Sequence, residues 1–234
     1  MKKTKNTKVK NGSFIVIDGT DGSGKATQTE LLLKRLKKEK VKVKKIDFPR
    51  YSQNHFGRLL DECLKKGSHG DFISISPKIA STLYAADRFE SSKKIREWLD
   101  KGYTVVSDRY VSANQIHQGG KITDEKERKE FLKWLDIVEY RVFGIPKPDV
   151  IVYLHVPIEV SLKLIMERAQ KSGVAADQAE ANAHHLYKSQ QSALKIIEKN
   201  NKWIKVNCTV DNQMCAREDI HEEIVKKLGK YIKK

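Results

Sequence analysis

Two rhythms of apolar residues alternate along this chain. Phe14-Ile15-Val16-Ile17 is an unbroken β-prone run, and Leu31, Leu32, Leu33 and Leu36 follow at helical spacing, so the segment reads strand, loop, helix. Val41, Val43 and Ile46 predict a second strand, which Pro49 stops. Phe56, Leu59, Leu60, Cys63 and Leu64 stand at i, i+3, i+4, i+7 and i+8, one face of a short helix ending near Gly67. Ser76-Pro77 predicts another helix start, with serine as N-cap and proline at the first helical position. Ile95, Trp98 and Leu99 mark a further helix, closed at Lys101-Gly102.

Thr104 to Asp108, Val150 to Leu154 and Trp203 to Val206 read as three more strands. Helical patterns lie between them: Phe131, Leu135, Val138 and Val142, broken by Pro146-Lys147-Pro148; Ile158 to Gln170; Ala179 to Lys199; and a closing helix over Ala216 to Ile232. Lys171 to Gln178 reads as a polar loop around Gly173. Near-continuous apolar strands are those of a parallel sheet covered on both faces. The alternation predicts one α/β domain over residues 13–234 with a five-stranded parallel sheet flanked by helices, preceded by a flexible basic tail over 1–12.

No apolar run approaches the length of a membrane span, and the lysine-rich start lacks an apolar segment behind it, so a cytoplasmic protein without a membrane partner is expected. Three cysteines, Cys63, Cys208 and Cys215, lack metal-ligand spacing and read as reduced thiols. The formal charge of +16 invites a nucleic-acid reading. Five of those charges sit in residues 1–11, the others are mostly lysines scattered on helix faces, and no arginine-aromatic cluster is visible. A solvated basic surface is therefore the expectation, without a nucleic-acid partner.

Gly19-Thr20-Asp21-Gly22-Ser23-Gly24-Lys25 between the first strand and its helix has the spacing of a phosphate-binding P-loop, in which backbone N–H groups and a helix N-terminus wrap an oligophosphate. In an open α/β sheet the ligand lies beyond the C-terminal strand ends. Asp21, Gly24 and Lys25 follow the first strand, Arg50 the second, and Asp108 with Arg109 the third, a coincidence that points to phosphoryl transfer.

With Phe48-Pro49-Arg50-Tyr51, Tyr84-Ala85-Ala86-Asp87-Arg88, Asp108-Arg109-Tyr110 and Pro148 to Leu154, the chain resembles the thymidylate kinases of the P-loop nucleoside monophosphate kinases over nearly its whole length. That resemblance implies a three-layer P-loop NTPase fold, a short mobile lid at about 168–182, a homodimer, and Mg²⁺- and ATP-dependent conversion of dTMP to dTDP. It implies that Gly19, Asp21, Gly22, Ser23, Gly24, Lys25, Ala26 and Thr27 bind ATP, with Lys25 on the β- and γ-phosphates. Asp21, Phe48, Arg50, Tyr51 and Arg109 would meet the sugar and phosphate of dTMP. Tyr84 would stack on thymine, Arg88 would donate to its exocyclic oxygen, and Asn114, Gln115 and His117 would complete the base and sugar contacts. Lys25, Arg109, Asp108 and Asp21 would form the catalytic set, with Asp21 and Asp108 facing the metal, partly through water.

The family pattern is broken in three respects. Ala26 stands where a hydroxyl would reach Mg²⁺. Gly22 and the lid both lack the arginine that meets the transferred phosphoryl group; Gln178 stands about where the lid arginine is expected, between the acidic flanks Asp177 and Glu180, leaving Arg168 or Lys171 as substitutes. His117 replaces an aromatic residue beside the sugar. A kinase for another nucleotide or a nucleoside, and a P-loop binding protein without catalysis, are the alternatives. The two arginines, Arg50 and Arg109, favour an acceptor that already carries phosphate.

Overall fold

The computed structural model describes residues 12–64, 70–173, 180 and 182–232. The tail expected over 1–12 therefore lies, Gly12 apart, outside the described residues. Five parallel strands form one sheet in the order β2-β3-β1-β4-β5: β1 (Phe14–Gly19), β2 (Val43–Asp47), β3 (Thr104–Asp108), β4 (Val150–His155) and β5 (Trp203–Asn207). Along β1 the side chains alternate in destination, which is why its run is continuously apolar. Phe14 and Val16 join a core with Val105, Tyr153 and Trp203, whereas Ile15 and Ile17 face the other way with Val106, Val152 and Leu154.

The second of these faces is covered by α1 (Lys25–Lys38) and α8 (Arg217–Leu228). The first is covered by α3 (Pro77–Asp100), α4 (Val111–Gly120), α5 (Glu125–Ile137) and α7 (Ala183–Ile197). A short α2 (His55–Leu64) packs on α3, and α6 (Ile158–Ser172) follows β4. The predicted end of α2 near Gly67 lies outside the described residues.

Local expectations change in five places. The two helices predicted from Ser76-Pro77 and from Ile95 are one, α3, because neither glycine nor proline interrupts residues 78–100. Lys171 is the penultimate residue of α6, not of a loop, and Gly173 at φ +67 ends that helix. The helix predicted from Ala179 begins at Ala183, where the Asn182 side chain accepts from His185 N at 2.9 Å as N-cap. The closing helix stops at Leu228, before Gly229. A two-stranded hairpin, β6 (Thr209–Val210) and β7 (Gln213–Met214), was not expected; Asp211 and Asn212 turn it with φ of 49° and 58°.

Two features position what lies above the sheet. Gly120 in α4 lets α7 approach so closely that a Cβ there would stand 2.9 Å from Lys188 O. Asp149 accepts from Phe14 N at 2.7 Å and so satisfies the first donor of β1. Among the described residues, no helix is long and apolar enough to cross a membrane.

Candidate active site

The turn between β1 and α1 wraps back on itself. Lys25 Nζ donates to Gly19 O at 3.0 Å and Thr20 O at 2.9 Å, and lies 3.5 Å from Asp21 Oδ1. Burial holds the Lys25 ammonium below its usual range, and Arg109 adds to that. Gly22 has φ +78, and a Cβ on it would stand 2.6 Å from Ser161 O in α6. A side chain at this position is therefore both strained and obstructed, which excludes a P-loop arginine from this backbone. The loop opens on a cleft walled by Gly22 to Gln28, Asp108, Leu164, Ile165, Arg168, Glu180, Met214, Arg217 and Ile220.

A second cavity lies on the other side of Asp21. Its walls are Phe48, Pro49 and Tyr51 from the loop after β2, Leu64, Phe72, Ile73, Tyr84 and Arg88, and Tyr110, Ala113, Asn114, His117 and Gln118 along α4, with His185 from α7. One end is aromatic, where Phe72 and Tyr84 meet edge to face at 6.2 Å. The other end is charged. Among the described residues, Asp21 and Arg109 are the two that wall both cavities.

Arg109 Nη2 donates to Asp21 Oδ1 in a short, mostly buried ion pair. Burial alone would raise the Asp21 carboxyl; Arg109, then Lys25, hold it well below the usual carboxylate range. Burial likewise opposes the charge on Arg109, but Asp21, Asp18 and Asp108 push its pKa up, so the guanidinium stays ionised. Arg109 adopts φ +62, a left-handed conformation costing roughly 1–2 kcal/mol for a residue with a Cβ. Its N–H to Ile17 O at 3.0 Å and its carbonyl accepting from Ser107 Oγ at 2.6 Å keep it there. Asp18, fully buried at the end of β1, accepts from Gly19 N at 2.8 Å and from Ser112 Oγ at 2.5 Å, and thereby ties the P-loop to α4.

The aromatic end carries a buried polar network. Glu139, wholly buried in a short π-helix over Val138–Val142, accepts from Arg88 Nε at 3.1 Å, from Arg88 Nη2 in a shorter bond, and from Asn114 Nδ2 at 3.2 Å. Arg88 Nη1 also donates to Tyr110 O at 3.3 Å. On the next turn of α4, His117 Nε2 lies 3.3 Å from Arg109 Nη1 and the His117 ring stacks on His185 at 5.5 Å. Burial holds both imidazoles below their usual pKa, that of His185 at about 4, so both are neutral. His117 Nδ1 and Gln118 Oε1 are buried without a hydrogen-bond partner among the described residues.

For a metal, Asp108 is the better-suited carboxylate. It walls the P-loop cleft, and burial raises its pKa while Lys25 and Arg109 oppose that rise. Asp21 is already engaged by Arg109 and Lys25. Among the described residues, no three His, Cys, Asp or Glu side chains converge as a metal cage. A cation bound largely through phosphate and water oxygens fits such a sparse set.

A sequence model described as thymidylate kinase matches residues 17–224. The chain is 30% identical over 227 residues to a thymidylate kinase of Plasmodium falciparum, covering 94% of this chain and 91% of that one. It is 35% identical over 172 residues to a thymidylate kinase of Mycobacterium tuberculosis, covering 73% and 78%. The chain belongs to the thymidylate kinase family. A probable thymidylate kinase of Pyrococcus abyssi is 31% identical, covering 92% and 94%. The solved thymidylate kinase of Candida albicans superposes with a TM-score of 0.72 at 25% identity, covering 94% and 92%.

Against this family background, the structure gathers most of the expected residues and displaces some. Asp21, Phe48, Tyr51, Tyr84, Arg88, Arg109, Asn114 and His117 wall the second cavity, and Asp21 to Thr27 with Asp108 wall the P-loop cleft. Gln115 is not on the cavity wall. It lies beside α5 and α7, and Gln118, one turn on from Asn114, stands in the cavity instead. Arg50 is absent from both walls: its Nη1 lies 3.6 Å from Oδ1 of Asp47, the last residue of β2. Arg88 does not present its whole fork to the cavity, because Glu139 holds two of its nitrogens. Of the lid residues, Arg168 reaches the P-loop cleft and pairs with Glu180 at 2.5 Å, whereas exposed Lys171 does not wall it; Asp177 lies outside the described residues.

Glu139, Gln118, His185 and Arg217 also belong to these cavities or their network, and no sequence motif marks them. A glutamate within a helical stripe reads as solvated, and only its distance of 51 residues from Arg88 separates it from a local pair.

Proposed function

We propose that this chain transfers the γ-phosphoryl group of ATP to dTMP, giving dTDP and ADP, with the P-loop cleft as donor site and the second cavity as acceptor site. The observation that carries this reading is that the two cavities meet at Asp21 and Arg109. Two polyanions laid in them approach each other across one guanidinium, beside Lys25.

The acceptor phosphate oxygen is already anionic, so the step needs alignment and charge neutralisation more than a base. Lys25 and the amides of residues 22–27 hold the donor phosphates. Arg109, kept ionised by its acidic neighbours, spans donor and acceptor, and Asp21 holds the guanidinium in that orientation. Arg168 supplies the cation that Gly22 cannot. Mg²⁺, when bound, would spread further positive charge over the donor phosphates, with Asp108 as its protein carboxylate. At the far end Tyr84 and Phe72 offer ring faces to the base, while Arg88, Asn114 and Gln118 offer polar contacts. A cytoplasmic homodimer agrees with this reading: Ile79 and Phe89 on α3, Ile137 on α5 and nearby Val142 are large exposed apolar side chains suited to a partner copy.

The decisive assay measures ADP release with Mg-ATP and dTMP, dUMP, dGMP, UMP, CMP or thymidine. Turnover is expected with dTMP and none with thymidine, which lacks the phosphate that Arg109 would meet; turnover confined to thymidine would overturn the assignment. Replacing Gln118 by Ala should raise the KM for dTMP about five- to tenfold, the scale of one lost hydrogen bond. Gln115→Ala should leave it unchanged, and the reverse order would place the other glutamine in the cavity.

A further inference from the structure

One backbone hydrogen bond extends the hairpin of β6 and β7 beyond its two strands. Thr209 pairs with Met214 and Val210 with Gln213, so the next residues outward, Cys208 and Cys215, stand opposite each other. Cys215 N donates to Cys208 O at 2.9 Å, while Cys208 N donates to His155 O at 2.9 Å, so one backbone bond joins the two cysteines directly. Directly opposed residues of antiparallel chains have Cα atoms about 4.5–5.5 Å apart, inside the span of about 4.4–6.8 Å that a disulfide bridges. Both side chains enter the same apolar cluster, with Cys208 fully buried and Cys215 half-buried against it. None of the three cysteines is in a disulfide here, and Cys63 belongs to a different cluster beside α2.

The hairpin adjoins the P-loop cleft. Met214, immediately before Cys215, walls it, and so does Arg217, two residues after, whose carbonyl accepts from Gln28 Nε2 of α1 at 2.9 Å. A bond between residues 208 and 215 would therefore fix the chain that carries both wall residues.

We propose that Cys208 and Cys215 are a thiol pair that closes reversibly into a disulfide and thereby changes nucleotide affinity in the P-loop cleft. The oxidant is a low-molecular-weight disulfide. The Cys215 thiolate attacks one of its sulfurs, breaks the S–S bond and releases one thiolate, leaving a mixed disulfide. Cys208, once deprotonated, attacks Cys215 Sγ and expels the second thiolate. Two protein thiols are oxidised, one small disulfide is reduced, and the two protons leave on the released thiols. Burial pushes the Cys208 thiol up to about 12, which makes its attack the slow step.

The link to ATP rests on the donor-site reading above, whereas closure of the disulfide does not. The full chain is incubated with oxidised glutathione, alkylated, and read by intact mass and peptide mapping; affinity for ATP is measured by calorimetry and the KM for dTMP by ADP release. Expected are a loss of two hydrogens, a cross-linked peptide joining residues 208 and 215, and a several-fold change in ATP affinity that a reductant reverses, with the KM for dTMP unchanged. Cys215→Ser and Cys208→Ala should each abolish the cross-link, and Cys63→Ser should behave as the unaltered chain. A stable single glutathione adduct, or no modification, overturns the disulfide. A cross-link that leaves ATP affinity unchanged overturns the coupling, and a chain that forms it but phosphorylates no acceptor overturns the kinase reading while leaving the thiol pair standing.

Discussion

An Arg109→Lys variant is expected to fold normally and to lose about three orders of magnitude in kcat, the scale seen when a phosphoryl-transfer site loses its bridging guanidinium. The lysine keeps a positive charge beside Asp21, whose carboxylate also has Lys25 at 3.5 Å, so no buried anion is left uncompensated. What it removes is the planar fork that allows one side chain to face the acceptor site, the donor site and Asp21 together. Steady-state ADP release gives kcat and both KM values, and thermal unfolding reports the fold. The loss should fall mainly on kcat, because the contact is worth most where charge develops on the moving group. Activity within tenfold of the unaltered chain would remove Arg109 from the transfer step. Lys25→Ala should likewise abolish turnover, and since Lys25 touches only the donor side it should weaken ATP more than dTMP.

The second large effect is on stability. Glu139→Ala should cost about 3–5 kcal/mol, because it strands Arg88, 2% exposed, as a buried and unpaired cation. For a chain of this size that is a fall in Tm of roughly 6–20 °C. Asn114 loses an acceptor at the same time, so dTMP binding should weaken together with the fold. A double variant, Arg88→Met with Glu139→Leu, separates the two consequences. Apolar groups of similar volume should recover most of the stability, since a buried ion pair is held against a large desolvation cost. They cannot recover polar contacts to a base, so the KM for dTMP should stay high. Denaturant unfolding and dTMP titration on the same preparations check both. Equal stability of the Glu139→Ala variant and the unaltered chain would mean that Arg88 finds another partner in solution.

Strands and the P-loop were legible in the sequence because their causes are local. A strand buried on both faces needs an apolar run, and Phe14 to Ile17 supplies one. A loop that crowds α6 at φ +78 needs glycine, and Gly22 supplies it. The hairpin was legible in principle, since Asp211-Asn212 suits a two-residue turn, but its strands are two residues long and leave almost no alternation to read.

The acceptor cavity was legible as a set of residue types but not as a surface. Gln115 and Gln118 are the same amino acid one turn of helix apart, and which of them faces the cavity depends on how α4 is rotated under α7. That rotation is decided where Gly120 lets Lys188 O come close. Arg88 and Glu139 are 51 residues apart, and neither position announces a buried partner. By itself, then, the sequence determined the sheet, the phosphate-binding turn and the kinds of side chain at each strand end, because backbone geometry and solvent exclusion act within a few residues. Only the tertiary structure decided which of those side chains share a cavity, which are held by one another, and that Asp21 and Arg109 stand where the two cavities join. Those relations depend on helix rotation and on pairings across the fold, which local propensity does not encode.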